Sequence, residues 1–285
     1  MQLPEIAVNL LVFNQIPLAQ ALDAVRDAGC SVIELAYTAG YATFDEHYAF
    51  TEEAADRIVD ELRLRCLTCR SVAAHIDLGE KDALERFTRR LKFAHRVGAS
   101  IIISNTSTVD KREVFGKNIV ELSKVAASLD LTIALENPGD GAGNLLDSGV
   151  GGARLVDGLS LSNVRLNYDY SNAISYAGMD LAVQEDCAAA VPRSVNLHLK
   201  DLKRDEAAGV WNFCAIGEGD HDYAVLLREV KRQDRPPYVS LELPLHMRRG
   251  PDLLMQRKET AMDREGCVQA IKQSVRNIAR IWQTV

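Results

Sequence analysis

Three carboxylates and one imidazole stand at the ends of four successive apolar stretches in the second half of the chain. In chain order they are Glu136, Asp169, His198 and Glu242. Burying a carboxylate costs a large free energy unless the group is paired or bound to a metal. Four such groups at equivalent places therefore predict one shared site, whose oxygen ligands and single imidazole suit Mn²⁺ first, or Mg²⁺, Co²⁺ or Zn²⁺.

Each of these residues also has a simpler interpretation. A lone glutamate at a strand end is more often a solvated or salt-bridged residue of the rim. A histidine between two leucines, like His198, is more often a core residue with one hydrogen bond. The metal site is favoured because four consecutive apolar stretches end in the same way.

Apolar stretches alternate with amphipathic segments along the sequence, and this pattern predicts the elements that must position the four groups. Strands are predicted over residues 6–13, 31–37, 66–74, 100–105, 131–137, 164–169, 194–201 and 238–243. Helices are predicted over residues 18–29, 51–65, 82–97, 111–128, 150–159, 181–190, 223–233 and 266–283. Strict alternation of this kind is typical of a parallel sheet with right-handed crossovers.

Eight strand–helix units are enough to close the sheet into a (β/α)8 TIM barrel, and we expect residues 1–285 to form a single domain of this α/β class. An open doubly wound sheet is the alternative. It usually has a glycine-rich turn after its first strand, whereas residues 8–15 contain no glycine. In a closed parallel barrel the carboxyl ends of all strands lie on one face, so the four groups would meet there.

Composition and charge exclude several kinds of partner. The chain is 47% hydrophobic and has a net charge of −7, so its acidic surface makes nucleic acid a poor partner. No apolar stretch is long enough to span a membrane, and the first residues lack the pattern of a secretion signal, which predicts a cytoplasmic protein. The six cysteines, Cys66 and Cys69 among them, are expected to be buried free thiols in a reducing compartment.

Two segments, residues 201–221 and 245–264, are long for loops, and both follow late strands. Long loops at the carboxyl ends of barrel strands are commonly lids or partner contacts. We therefore expect them to cover the site or to contact another subunit in a homodimer or homotetramer.

Short motifs around the four groups carry a resemblance to a known family. They are Leu-Glu136-Asn137, Tyr-Asp169-Tyr-Ser-Asn172, His198-Leu-Lys200-Asp201, Leu-Glu242 and, just before a predicted helix, Gly217-Glu-Gly-Asp220. In these motifs the chain resembles the xylose isomerase-like TIM-barrel superfamily, which includes sugar isomerases and epimerases, inosose dehydratases and endonuclease IV. The resemblance implies that one divalent metal ion is bound by Glu136, Asp169, His198 and Glu242.

The resemblance also implies a reaction, namely proton abstraction next to a carbonyl of a small sugar or cyclitol through a metal-stabilised enediolate. In the epimerase branch, Glu136 and Glu242 would be the catalytic pair and would move the proton, one on each face of the substrate. Other residues near the same rim are candidates for binding sugar hydroxyls: Glu34, His75, Asn105, Asn137 and Lys200. The alternative is loop capping or, for Lys200 and Asp201, an ion pair at the barrel mouth.

Two other functions remain open on the same residues. The same carbanion-like step begins a lyase reaction, such as dehydration of a keto-inositol or elimination from a 3-keto-glycoside. A barrel that binds a sugar without converting it is the third interpretation, although non-catalytic relatives usually lose one of the four groups. The endonuclease branch is disfavoured, because Asn105 and Asn172 stand where that branch carries histidines for further zinc ions.

Overall fold

Eight parallel strands close into a barrel in the computed structural model, which describes residues 2–139, 142–177, 181–252 and 254–285. Numbered along the chain, the barrel strands are β1 (Ile6–Asn9), β2 (Val32–Ala36), β3 (Thr68–Ala73), β4 (Ile101–Asn105), β5 (Thr132–Glu136), β6 (Val164–Asp169), β7 (Ser194–Leu199) and β10 (Tyr238–Leu241). The barrel closes where β10 pairs with β1, with Val8 opposite Leu241. The predicted (β/α)8 architecture is confirmed.

Helices follow the barrel strands, as the alternation predicts. They are α1 (Leu18–Asp27), α2 (Glu46–Ala49), α3 (Glu52–Leu64), α4 (Ala83–Arg96), α5 (Arg112–Ser128), α6 (Gly149–Leu159), α7 (Tyr170–Ala177), α8 (Val183–Ala190), α9 (Tyr223–Lys231) and α10 (Arg264–Thr284). Side-chain caps fix several starts: Thr51 accepts a hydrogen bond from the Ala54 amide at α3, and Asp263 accepts one from the Gly266 amide at α10. The sequence pattern did not predict α2 or α7.

The first predicted strand is wrong in its second half. After Asn9 the chain forms a short 3₁₀ helix, Leu10–Phe13, instead of continuing as a strand. The Asn9 side chain accepts a hydrogen bond from the Leu11 amide at 2.8 Å and so caps this turn. An apolar stretch of eight residues does not by itself distinguish a long strand from a strand followed by a buried turn.

The two long segments after the late strands form paired strands instead of irregular loops. They contribute four short strands, β8 (Asp201–Asp205), β9 (Val210–Cys214), β11 (Met247–Arg249) and β12 (Met255–Arg257). These pair antiparallel in the order β12-β11-β9-β8, with Arg248 opposite Asn212. Residue 253, within the second segment, lies outside the described residues.

Burial follows the two-residue period of the barrel strands. Outward positions such as Ile33, Val72 and Leu197 are apolar and fully buried. Inward positions include a small apolar cluster and a set of fully buried polar side chains. The apolar cluster is Ala73, Ile101, Ile103 and Ala134, and the polar set comprises Asn9, Glu34, Ser71, Asn167, Asn196, His198 and Ser240. Such polar groups are stable inside a barrel only when they bond to one another.

All six cysteines are free, as predicted, but not all are buried. Cys69 lies in β3 and is buried, whereas Cys66 is exposed. The prediction of burial is wrong for Cys66 because this residue ends the turn after α3 with a φ of 53°, outside the strand. None of the helices in the described ranges combines the length and the apolar character that a membrane span needs.

Candidate metal centre and active site

The four groups singled out in the sequence converge at the carboxyl ends of neighbouring strands. Glu136 ends β5, Asp169 ends β6, His198 lies near the end of β7, and Glu242 follows β10. All four are buried, and one ligand atom from each lies within 4.8 Å of the others. In the barrel register, Asp169 and Ser240 flank His198 on the two adjacent strands. The cluster can therefore hold a metal ion.

The hydrogen bonds of His198 test whether the cluster fits a cation. Its Nε2 lies 2.7 Å from Oε1 of Glu34, and an ionised carboxylate only accepts, so we assign the ring proton to Nε2. Its Nδ1 makes no hydrogen bond and faces Oε2 of Glu136 at 3.1 Å and Oε2 of Glu242 at 3.5 Å. A buried ring nitrogen that makes no hydrogen bond and faces carboxylate oxygens can bind a divalent ion in place of a proton, so the residues fit such an ion.

A buried ammonium group adjoins the cluster. Nζ of Lys200 lies 2.6 Å from Oδ2 of Asp169 and 2.8 Å from Oε2 of Glu242. Burial disfavours the charged form of Lys200, but the two carboxylates outweigh this cost and raise the pKa of Lys200 above its usual range. Lys200 is therefore an ammonium that offsets part of the negative charge. The ion pair considered for Lys200 therefore exists, but its acidic members are two candidate metal ligands, Asp169 and Glu242, instead of Asp201.

The carboxylates of the cluster respond differently to their surroundings. Burial alone would raise the pKa of Glu242, but Lys200 and His198 outweigh it and hold that pKa well below the usual range. For Asp169, burial and the charges of Glu136 and Glu242 prevail over Lys200 and raise the pKa to about 6. A crowded acidic site of this kind binds a divalent cation favourably, because the cation offsets the mutual repulsion of the carboxylates.

A cavity of about 240 Å³ borders the cluster, and five of the predicted site residues line it: His75, Asn105, Glu136, Lys200 and Glu242. Its size lies below the roughly 300–1,000 Å³ of pockets for drug-sized ligands, so it suits a small molecule. A groove of about 730 Å³ on the outer surface, beside Phe50 and Arg89, is larger but holds none of the clustered carboxylates. The smaller cavity is therefore the candidate active site.

His75 and Asn105 form a pair on the cavity wall. Nδ1 of His75 lies 3.1 Å from Oδ1 of Asn105, and its Nε2 lies 3.7 Å from Oε2 of Glu136. Since the amide oxygen only accepts, Asn105 fixes the proton on Nδ1 and leaves Nε2 directed towards Glu136. Both residues thus lie where the sequence placed them, at the rim beside a catalytic candidate.

Asn137 and Glu34 differ from the sequence expectation. Asn137 donates from Nδ2 to the Asp169 carbonyl at 2.8 Å and accepts from the Asp169 amide at 2.9 Å, so its amide joins β5 to β6. It is only 1% exposed and does not line the cavity. Glu34 is fully buried beneath His198 and cannot contact a sugar hydroxyl. Both were assigned to the rim from their position near a strand end, which does not reveal these partners.

Asp201 and the Gly217-Glu-Gly motif form one structural unit. The Asp201 carboxylate accepts hydrogen bonds from the amides of Gly217 at 2.8 Å and Gly219 at 3.1 Å. It also accepts from the amides of Leu202 and His221. The glycine motif is thus a tight turn, and Asp201 holds that turn instead of reaching the cavity.

The antiparallel sheet contacts the cavity wall through Arg249. Arg249 on β11 is buried and donates to Oδ1 of Asn172 at 3.1 Å, and Asn172 lines the cavity. Nearby, Ser171 Oγ lies 2.9 Å from Nε2 of His221, whose pKa is lowered mainly by burial. The segments expected to cover the site therefore do reach it, as a paired sheet.

The fold has many relatives among solved structures. A D-allulose 3-epimerase from Methylomonas sp. is 18% identical, with 98% of each chain covered and a TM-score of 0.72. A 3-keto-D-glucoside 4-epimerase from E. coli is 14% identical, with 98% of this chain and 100% of that chain covered and a TM-score of 0.70. A protein described as a "probable 3-DHS dehydratase" from Bacillus anthracis is 14% identical, with 94% and 97% covered and a TM-score of 0.68.

Because these solved structures are only 14–18% identical to the chain, they support its fold alone. No curated protein sequence matches the chain significantly. The sequence does match the family described as "Xylose isomerase-like TIM barrel" over residues 22–265, which include all four clustered residues. The chain belongs to the xylose isomerase-like TIM-barrel family.

Proposed function

We propose that this protein is a metal-dependent isomerase or epimerase of small sugars. The observation that carries the proposal is the buried cluster of three carboxylates and one imidazole, whose Nδ1 atom has no hydrogen bond and faces two of the carboxylates. The names of similar structures, sugar 3-epimerases and a keto-glucoside 4-epimerase, support the same reaction class. We propose Glu136, Asp169, His198 and Glu242 as the ligands and Mn²⁺ as the first choice of metal.

When bound, a divalent ion stabilises negative charge that develops on the substrate's carbonyl oxygen. Glu136 and Glu242 transfer the proton on the adjacent carbon, since both line the cavity and come from strands separated by β6 and β7 in the barrel. One carboxylate must remove a proton while the other supplies one, so the two need environments that separate their pKa values. Glu242 accepts a hydrogen bond from Lys200, whereas Glu136 accepts one from Asn167 and faces His75.

The cavity lining supports an uncharged polyol-like substrate. Among the described residues that line it, Lys200 is the only lysine or arginine, and Asp169 and Glu242 already engage its ammonium. A phosphate would thus lack a dedicated cation. His75, Asn105 and Lys200 remain our candidates for binding sugar hydroxyls, whereas Asn137 is reassigned to holding the Asp169 backbone in place.

The test is exchange and turnover with free ketoses in D₂O, followed by NMR. The Glu136→Gln and Glu242→Gln variants keep side-chain shape but cannot take up a proton, so each is expected to lose activity by about 10²–10⁴-fold. Glu206→Gln, in the exposed turn between β8 and β9, is the matched control and should retain wild-type turnover. Full activity in both site variants would refute the acid/base assignment.

A lyase that uses the same site is the second candidate. The fold similarity to a "probable 3-DHS dehydratase" favours it, since elimination of water begins with the same proton abstraction. The family resemblance also implies a histidine three residues after the strand-six aspartate in the ketose 3-epimerase branch, and Asn172 at that place favours the lyase over an epimerase of free ketoses. Product NMR distinguishes the two reactions: solvent deuterium in an unchanged carbon skeleton indicates an isomerase or epimerase, and loss of water or of an aglycone indicates a lyase.

A further inference from the structure

Glu34 is a fully buried carboxylate inside the barrel, directly behind His198. Its Oε1 accepts from Asn9 Nδ2 at 2.6 Å and from His198 Nε2 at 2.7 Å. Its Oε2 accepts from Ser71 Oγ at 2.5 Å and from Ser240 Oγ at 3.0 Å. Every strong contact is thus a donor directed at the carboxylate, and Glu34 itself does not line the cavity.

The barrel register makes this arrangement rigid. Asn9 and Ser71 lie beside Glu34 on the two adjacent strands, and Ser240 lies beside His198. All these donors have short side chains on inward positions of paired strands, so the carboxylate has little freedom to move. The direction of the His198 ring is therefore determined by main-chain pairing acting through Glu34.

The same polar network reaches a second candidate ligand. Ser240 Oγ also contacts Asn196 Oδ1 at 3.3 Å, and Asn196 Nδ2 donates to Asn167 Oδ1 at 2.9 Å. Asn167 Nδ2 in turn donates to Glu136 Oε2 at 2.7 Å. Two of the four clustered groups, His198 and Glu136, are thus oriented by one hydrogen-bonded network in the barrel interior.

A carboxylate at this position is costly as a purely structural element. Removing an ion from water costs several kcal/mol, and a neutral or apolar residue of similar size would fill the space more cheaply. A negative charge has a use here because it holds the proton on Nε2 and makes Nδ1 a stronger donor to a cation. Outer carboxylates that hold a metal-binding imidazole act in this way.

We propose that Glu34 is a positioning residue that sets the divalent-metal affinity of His198, an inference that rests on the metal site of the proposed function. Its removal is expected to weaken metal binding even though it touches neither metal nor substrate. The effect should appear in the protein without substrate, because the contact between Glu34 and His198 does not involve the cavity.

The experiment is a calorimetric titration of Mn²⁺ into chelator-treated Glu34→Gln protein. Glutamine keeps the length of the side chain and an acceptor oxygen but removes the charge, and we expect Kd to rise about 10–100-fold, as for outer-shell changes at metal sites. Glu206→Gln, the same chemical change in the exposed turn between β8 and β9, is the matched control and should bind Mn²⁺ with the wild-type Kd. Thermal melting with and without Mn²⁺ gives the apparent stability of each form.

The proposal would be overturned if Glu34→Gln bound Mn²⁺ as tightly as wild type but melted at a lower temperature both with and without Mn²⁺. That result would assign Glu34 a purely structural role. Nitrogen-15 NMR of His198 in wild-type protein loaded with Zn²⁺ gives a test that does not depend on a variant folding. A protonated Nε2 is expected, and a metal-bound Nε2 would also overturn it. Because neither measurement uses turnover, failure of the proposed reaction is distinguished from failure of this inference.

Discussion

The two nitrogens of His198 face chemically different groups. Nε2 donates to Glu34, whereas Nδ1 faces Glu136 and Glu242. Burial favours the neutral ring, but these carboxylates outweigh burial and raise the pKa of His198 well above its usual range. A cation bound at Nδ1 must displace a proton from there, so metal affinity should fall as the pH decreases.

Asp169 gives the residue-scale prediction for the metal site. In Asp169→Asn, the side chain can still accept the hydrogen bond from the Asn172 amide, but one ligand charge is lost. We expect Mn²⁺ to bind at least about 100-fold more weakly. Changing a residue that only contacts a metal ligand typically weakens binding by up to about 100-fold, and loss of a ligand charge should cost at least as much. Calorimetry of chelator-treated protein measures this. Asp157→Asn, at an exposed ion pair with Arg193, is the control and should bind like wild type; equal affinity in both variants would contradict the ligand assignment.

At the scale of elements, β7 is followed, after Lys200 alone, by β8 of the antiparallel sheet. Asp201, the first residue of β8, also holds the Gly217-Glu-Gly turn that follows β9, because its carboxylate accepts amide hydrogen bonds from both glycines. The turn requires Gly217 at a φ of 81°, and it requires Gly219 because a Cβ there would lie 2.2 Å from Oδ1 of Asp201. The glycines of this motif thus serve close packing of the turn.

The corresponding prediction is a loss of stability in Gly219→Ala. The added methyl group has no space, because Asp201 and the Leu202 carbonyl both lie within 2.6 Å of its position. We expect the free energy of unfolding to fall by about 1–3 kcal/mol, as overpacking does in cores. The control is Gly158→Ala in α6, where nothing lies within 4 Å and alanine should stabilise by about 0.5–1 kcal/mol.

Urea unfolding followed by circular dichroism measures both glycine variants. A Gly219→Ala protein as stable as wild type would show that the turn does not depend on close approach to Asp201.

For the whole molecule, the barrel mouth is held together by segments far apart in the chain. Nε2 of His246, which precedes β11, lies 3.2 Å from the carbonyl of Tyr41, which follows β2, although 205 residues separate them. Arg257 on β12 donates to the same carbonyl at 3.3 Å. His246 is only 3% exposed, and burial lowers its pKa to about 4.

This histidine predicts how stability depends on pH. The unfolded chain takes up a proton at His246 near pH 6.5, whereas the folded chain does so only near pH 4, so acidification between these values favours unfolding. The loss of folding stability due to His246 is absent above pH 6.5. It grows by about 1.4 kcal/mol for each pH unit below that value and reaches about 3 kcal/mol near pH 4.

The measurement is the free energy of unfolding between pH 4 and pH 7.5 in wild type and in His246→Gln. Glutamine can donate to the Tyr41 carbonyl but does not titrate, so the variant should lose less stability than wild type on acidification. Parallel curves for the two proteins would contradict the assignment.

The sequence by itself determined the barrel and the four converging groups. The two-residue alternation within strands such as β5 and β6, and the apolar periodicity of the helices between them, are local patterns. They determine which side chains face inward wherever the strands pair. Because parallel strands in a barrel share one carboxyl face, the positions of Glu136, Asp169, His198 and Glu242 near strand ends were enough to predict that they meet.

Only the tertiary structure decided the partners of the neighbouring polar groups. Lys200 could have entered the cavity without a charged partner, but its ammonium lies between two carboxylates; Glu34 could have faced the cavity, but it lies behind His198. The antiparallel sheet pairs segments that lie more than 30 residues apart, and no local pattern in either segment specifies the other. The type of a side chain and its position in the two-residue period of a strand determine which face of the sheet it occupies. Its hydrogen-bond partner depends instead on strand register and on which distant segments come together.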